Sequence, residues 1–387
     1  MRILYSHRTK SADGQYVHIR ALTEALKARG DSLFMAGPDD WGETATRALD
    51  GGGPGGGVRR IVPKPIYEIA ELGYSLPAYR RLARAARLFR PDVLYERYNL
   101  FYHAGVRLSR ARAMPMILEV NAPLVDERSR FGGLALKSLA RWSETSIWRA
   151  ADAVLPVTGV LARLVEAAGV APERIHVIQN GVEAEQLLDH DPRPVRARYG
   201  LDGRLVLGFA GFVRDWHRVE RVIDWMARSP RRDLHLLLVG DGDVVPELKA
   251  RAAERGIANR FTVTGVVQRP DVTGHIAAFD IALQPAATPY ASPLKQFEYM
   301  ALGKAIVAPA QPNIAEILAD GADALLFAPD DEAALGAALT RLVEDAELRR
   351  RLGAAAKATL LRRDLTWSGN ARRVEEIAAR LLVSRPS

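Results

Sequence analysis

The residues best suited to chemistry are grouped in one stretch, where Ser292, Pro293, Leu294 and Lys295 lead into an apolar run that contains Glu298. Ser292 and Pro293 suit the start of a helix, as its N-cap and first helical residue. Helix starts expose unpaired amides and partial positive charge, which bind phosphate. A lysine in the first turn opposes the usual preference for acidic residues there. Lys295 makes sense in that position if an anion sits between it and the helix end. Glu298 follows one turn later on the same face, so both side chains can address one ligand, with the carboxylate gripping a ribose diol. The alternative is an ordinary surface ion pair between Lys295 and Glu298.

These groups need a scaffold, and the rhythm of the chain supplies one. Short Leu- and Val-rich runs recur at 2–5, 32–36, 93–95, 116–120 and 153–157, with helical stretches between them. In the stretch 17–28, Ile19, Leu22 and Leu26 share a face, and Gly30 suits the C-cap. A stretch rich in Asp, Pro, Arg and Gly at 189–203 reads as a linker. The rhythm then restarts, with runs at 205–209, 234–239, 261–264, 281–283 and 305–308. Such alternation predicts two doubly wound α/β domains in tandem, each a parallel sheet covered by helices. The final stretch 364–382 reads as an amphipathic helix. Asp50 to Gly57, with its glycines around Pro54, reads as a surface loop and lacks the Lys-Ser/Thr that follows in a P-loop.

Composition narrows the classes. At 387 residues the chain exceeds one comfortable core. With no cysteine, disulfides, Cys-based metal sites and a thiol nucleophile are all excluded. No apolar run is long enough to span a membrane, and the N-terminus reads as a first strand rather than a signal peptide. The net charge of +8 fits nucleic acid, an anionic membrane or an acidic substrate. Nucleic acid is the weakest of these, because no zinc pattern, RNA-binding aromatic signature or basic tail is present. From Leu72 to Pro91 no acidic residue occurs, and Arg80, Arg84 and Arg87 share a helical face opposite Tyr79, Leu82, Ala86 and Phe89. The stretch 76–90 reads either as a domain helix with a solvated arginine face or as a contact with an anionic membrane.

The motif around Glu298 resembles that of the family 4 glycosyltransferases, in which a helix carries Phe-Glu-Tyr-Met-Ala ahead of a glycine and a strand. Further segments resemble the same family in the expected order. They are Asp13, Gly14 and Gln15 as an acceptor-side loop, 177–182 with Asn180 and Gly181 as a hinge, 211–217 as the glycine-led loop, 238–242 with Gly240, and 263–266 ending at Val266.

The resemblance implies a retaining, metal-independent enzyme of GT-B fold, two Rossmann-like domains facing a cleft. It carries a sugar from a nucleoside diphosphate to an acceptor hydroxyl in polysaccharide or lipid-linked glycan assembly. The implied division is 1–190 for the acceptor, 191–365 for the nucleotide-sugar, and 366–387 as a terminal helix crossing back to the first domain, with Trp367 near the crossover. Glu298 takes the ribose-binding role, and Arg214 the phosphate-binding one. Amides near Gly211 and Phe212 complete the phosphate site. His217 stands where a lysine is common, with Lys295 supplying the missing charge. Tyr290 replaces a glutamate that touches the donor sugar, and Asn121 stands near a histidine position, able to hydrogen-bond a sugar hydroxyl. Arg214, Lys295 and Asn121 are thus the catalytic candidates, with Gly14, His18 and Asn121 on the acceptor side. The donor contacts run through Gly211, Phe212, Arg214, His217, Gly240, Val266, Tyr290, Ser292, Pro293, Leu294, Lys295 and Glu298.

No cofactor is implied beyond a UDP-sugar or GDP-sugar substrate, and the expected setting is the cytoplasm or the cytoplasmic face of a membrane. Glu119, Glu127 and His103 read as structural, and His18 reads equally as packing or function. A non-catalytic sugar-nucleotide-binding protein of the same fold is the alternative, favoured by Tyr290 and Asn121. A Rossmann oxidoreductase lacks its third glycine after Gly240 and Gly242.

Overall fold

The computed structural model describes residues 1–9, 14–38 and 63–384, so Asp13 and the glycine-rich segment 50–57 lie outside the described residues. The chain forms two compact units, one of 1–179 with 367–387 and the other of 180–366. The 189–203 stretch is not the linker expected from its composition. The division falls at Gln179 and Asn180, and the Asp/Pro/Arg-rich stretch belongs to the second unit, where Arg193–Arg198 is helical.

Among the described residues, the first unit holds a five-stranded parallel sheet in the order β2-β1-β3-β4-β5. Its strands are β1 Arg2–Ser6, β2 Ser32–Ala36, β3 Val93–Arg97, β4 Met116–Val120 and β5 Ala153–Pro156. Strand order reverses between β1 and β3. The helix Gly14–Ala28 ends as its sequence suggests, on Gly30 at φ +99°, with Asp31 N–H reaching back to Leu26 O at 3.1 Å. The terminal helix Trp367–Val383 packs against it in the same unit, with Arg29 paired to Glu375 at 2.7 Å.

The second unit holds a six-stranded parallel sheet, β11-β10-β9-β6-β7-β8. Its strands are β6 Leu205–Ala210, β7 Leu234–Val239, β8 Phe261–Val263, β9 Ile281–Leu283, β10 Ala305–Pro309 and β11 Leu325–Phe327. Here the order reverses between β6 and β9. Every residue of β6 and β7 is buried, as expected of strands covered on both faces. Two apolar layers flank this sheet, one around Phe209, Leu236 and Leu342, the other around Phe279, Phe297 and Ile306. Open parallel sheets take their ligands beyond the carboxyl ends of the strands, at the point of reversal. That places the segments after β6 and β9 together in the second unit, and those after β1 and β3 together in the first.

Candidate active site

The turn after β6 is built on Gly211, whose φ of +113° suits glycine. Gly240, after β7, has φ +133°, and a Cβ there would meet Gly211 O at 2.4 Å. The two turns therefore pack backbone to backbone, and a side chain on Gly240 would force them apart. Tyr299 fixes the end of β6 from the neighbouring helix, its hydroxyl accepting from Ala210 N–H at 2.9 Å.

That helix is Leu294–Ala301, with Pro293 rather than Ser292 at its cap. Ser292 is held elsewhere: its carbonyl accepts from Asn180 Nδ2 at 2.6 Å and its Oγ from Asn180 N–H at 3.3 Å. Asn313 donates to the carbonyls of Thr288 and Ala291, fixing the turn that carries half-buried Tyr290.

Lys295 leaves the first turn of this helix and crosses Gly211, its Cε 3.4 Å from where a Cβ would stand. Its Nζ lies 4.2 Å from the Phe209 ring centroid and 3.4 Å from His217 Nε2. Burial pulls the lysine down to about 8. His217 Nδ1 accepts from Arg214 N–H at 2.9 Å, so the neutral ring carries its proton on Nε2. Burial, reinforced by Lys295 and Arg214, pushes the imidazole down to about 2 and keeps it neutral. Two hydrogen-bond donors therefore face one another beside the helix start, an arrangement that an oxyanion can satisfy.

Other sequence candidates are placed differently. Arg214 lies 4.4 Å over the Phe212 ring and pairs with the exposed Asp243 at 2.8 Å, so its guanidinium is already engaged by a carboxylate. Glu298 is buried and already engaged, with Arg269 Nη1 and Gln186 Nε2 both donating to its Oε1. Gln186 accepts from Glu183 N–H through its own oxygen, which turns its amide nitrogen toward Glu298. Arg269 and Gln186 were not legible as site residues, since each lies in a different part of the chain and in no recognisable motif. Val266 is exposed just beyond β8.

In the first unit, register does the assembling. Arg97 stands beside Glu119 and Tyr5 beside Tyr95, which puts Tyr95, Arg97 and Glu119 on one face. The Glu119 carboxylate accepts from Tyr95 Oη at 2.7 Å, from His18 Nε2 at 3.0 Å, and from Arg97 and Asn121. Burial would raise its pKa, but His18 and Arg97 outweigh that and hold it well below the carboxylate range. His18 is buried and packs edge-on against Trp367 at 4.8 Å. The acceptor-side candidates His18 and Asn121 are thus tied to a buried carboxylate, while Gly14 opens the first helix. His103 is bonded to Ser143 Oγ at 3.0 Å and stacked on Trp142. Among the described residues no cluster of three or more metal-ligating side chains occurs.

Comparison with known proteins identifies this architecture. A model described as Glycosyltransferase Family 4 matches residues 12–186, and one described as Glycosyl transferases group 1 matches 204–345, so both halves of the chain are covered. The chain belongs to the family 4 glycosyltransferases. It is 25% identical to the alpha-D-kanosaminyltransferase of Streptomyces kanamyceticus over 63% of this chain and 65% of that relative. That match, like the 64% of a 2-deoxystreptamine glucosyltransferase, spans just under two thirds of the relative's length. A D-inositol 3-phosphate glycosyltransferase of Nocardioides sp. is 26% identical over 96% of this chain and 86% of its own. Among solved structures, Anabaena Alr3699/HepE in complex with UDP and glucose superposes with a TM-score of 0.75 at 18% identity, covering 98% of this glycosyltransferase and 99% of that chain. The fold is GT-B.

Proposed function

We propose that this glycosyltransferase moves a sugar from a nucleoside diphosphate to an acceptor hydroxyl with retention of configuration, and that its second unit holds the donor. The observation that carries the reading is the convergence of Lys295 Nζ and the protonated His217 Nε2 at 3.4 Å, beside the start of a helix and at the reversal point of the sheet. A diphosphate oxygen accepts from both. Breaking the glycosyl–phosphate bond builds negative charge on that leaving group, and prearranged donors stabilise such charge strongly where water is excluded. Amides near Gly211 and Phe212 add to the same charge, and Arg214 joins them on releasing Asp243. Glu298, with Arg269 and Gln186 fixing its carboxylate, presents its remaining oxygen to the ribose, and Tyr290 lies on the donor-sugar side. The leaving diphosphate takes the acceptor proton in a same-face displacement, so the chemistry calls for neither a protein nucleophile nor a metal ion.

The donor is a UDP-sugar or GDP-sugar, with UDP favoured by the UDP and UDP-glucose complexes of the HepE structures. The setting proposed is polysaccharide or lipid-linked glycan assembly at the cytoplasmic face of an anionic membrane. Supporting that setting, Arg80, Arg84 and Arg87 are exposed on the helix Ser75–Phe89 beside exposed Leu76 and Leu88. The preceding helix Lys64–Gly73 turns Glu68 and Glu71 inward and Ile66 and Ile69 outward. No helix among the described residues is long and apolar enough to cross a membrane, so contact would be peripheral.

The deciding experiment titrates UDP and GDP into the purified chain by calorimetry, with Lys295→Ala alongside, followed by turnover of the matching sugar donors. One nucleotide should bind selectively and lose about tenfold or more in the variant. A folded chain that binds neither nucleotide would overturn the donor assignment.

A further inference from the structure

In the first unit the sheet reverses between β1 and β3, so its ligand crevice lies beyond their carboxyl ends. Arg8 stands two residues past the end of β1. Its guanidinium lies 4.7 Å from the centroid of the Tyr74 ring and 5.6 Å from that of Tyr102. Arg81, from the helix Ser75–Phe89, lies 5.5 Å from the same Tyr74 ring and donates through Nη2 to its hydroxyl. Two guanidinium ions thus share one phenol.

Neither has an ion-pair partner among the described residues. Among the described residues, the carboxylates Glu119 and Glu96 are committed elsewhere. Glu119 is saturated by four donors. Glu96 is fully buried, accepts from Ser6 Oγ at 3.0 Å, and is pushed up to about 8 by burial, so it contributes little negative charge. A ring face stabilises each cation by about 0.5–1 kcal/mol at an exposed site. It leaves their mutual repulsion and their net charge in place. A small polyanion between them would cancel both. A phosphate monoester fits this better than a carboxylate, because it offers three oxygens and nearly two charges to a pair of planar donor forks.

We propose that Arg8 and Arg81 form an anion subsite for a phosphate ester, and that the acceptor sugar or polyol of this transferase carries that phosphate. The second clause rests on the function proposed above. The subsite itself does not.

The test uses calorimetry on the full chain, with inorganic phosphate, glucose 6-phosphate and glucose as probes, in the presence of saturating UDP to occupy the donor unit. The same titrations are repeated in Lys295→Ala, which removes the donor-side cation. Glucose 6-phosphate should bind at least about tenfold more tightly than glucose. That preference should fall about tenfold in Arg8→Gln and in Arg81→Gln, survive in part in Arg8→Lys, and persist in Lys295→Ala. UDP affinity should be unchanged in the Arg8 and Arg81 variants, which also shows that they fold. A preference that survives in the double variant Arg8→Gln/Arg81→Gln would overturn the proposal. So would the failure of both phosphate probes to bind while UDP binds normally. An Arg8-dependent phosphate preference in a chain that binds no nucleotide would support the subsite and remove the transferase reading of it.

Discussion

Replacing Glu96 by glutamine should stabilise this protein, and should do so more as the pH rises. Register places Glu96 beside Ser6, on the opposite face of β3 from the Glu119 network. Its carboxyl is fully buried against the helix Ala104–Arg112, where a Cβ on Gly105 would stand 2.2 Å from Oε2. Ser6 Oγ supplies one hydrogen bond, and among the described residues Oε1 has none. Burial lifts the carboxyl from 4.5 to about 8. The sign follows directly. Below the unfolded value both states hold the proton, and stability is at its full level. As the pH rises toward the folded value the unfolded chain ionises and the native one does not, so stability falls. Each pKa unit corresponds to about 1.4 kcal/mol, so the loss near pH 7.5 is on the order of 4 kcal/mol. Glutamine keeps an acceptor for Ser6 and cannot ionise. Urea unfolding of wild type and Glu96→Gln between about pH 5 and pH 8.5 should show a difference under about 1 kcal/mol at the acid end, growing to several at the alkaline end. A difference that does not change with pH would refute the reasoning, because it would mean that the buried carboxyl is not held neutral.

Three further outcomes are expected. Gly105→Ala should be severely destabilising, because the new methyl meets the Glu96 carboxyl, and Glu96→Ala in the same chain should restore much of the loss in a double-mutant cycle. Glu119→Gln should lower stability by about 3–5 kcal/mol, since it leaves Arg97 buried beside a neutral amide; chemical denaturation measures this. Lys295 sits near 8, so UDP affinity should fall as the pH rises through that value and the ammonium is lost, whereas Lys295→Ala should show a flat calorimetric profile over the same range.

Much of the fold was legible because buried parallel strands are written as short apolar runs separated by helical stretches. The expected β2, β4, β7 and β9 end where the observed strands do, and the others differ by a residue or two. The strand Leu325–Phe327 was missed, since three residues between Ala- and Asp-rich stretches carry too little pattern. The division expected at 190 falls instead at Gln179, because composition marks flexible-looking sequence, whereas a boundary depends on which contacts are made across the chain.

At the site, the sequence by itself determined the types and the local order: Lys295 and Glu298 on one short helix, and a glycine after β6. It also determined the family, through motifs spread along the chain. Only the tertiary structure decided who meets whom. It set His217 against Lys295, Arg269 and Gln186 on Glu298, and Arg214 on Asp243, and it drew His18, Arg97 and Asn121 onto Glu119. It also left Arg8 and Arg81 together on one ring. The physical reason is that periodicity encodes burial and local spacing encodes helix faces, while charge pairing is set by strand register and by the order of strands in the sheet. Those are long-range properties, and they determine whether a given carboxylate is a ligand, a counter-ion or a neutral acid.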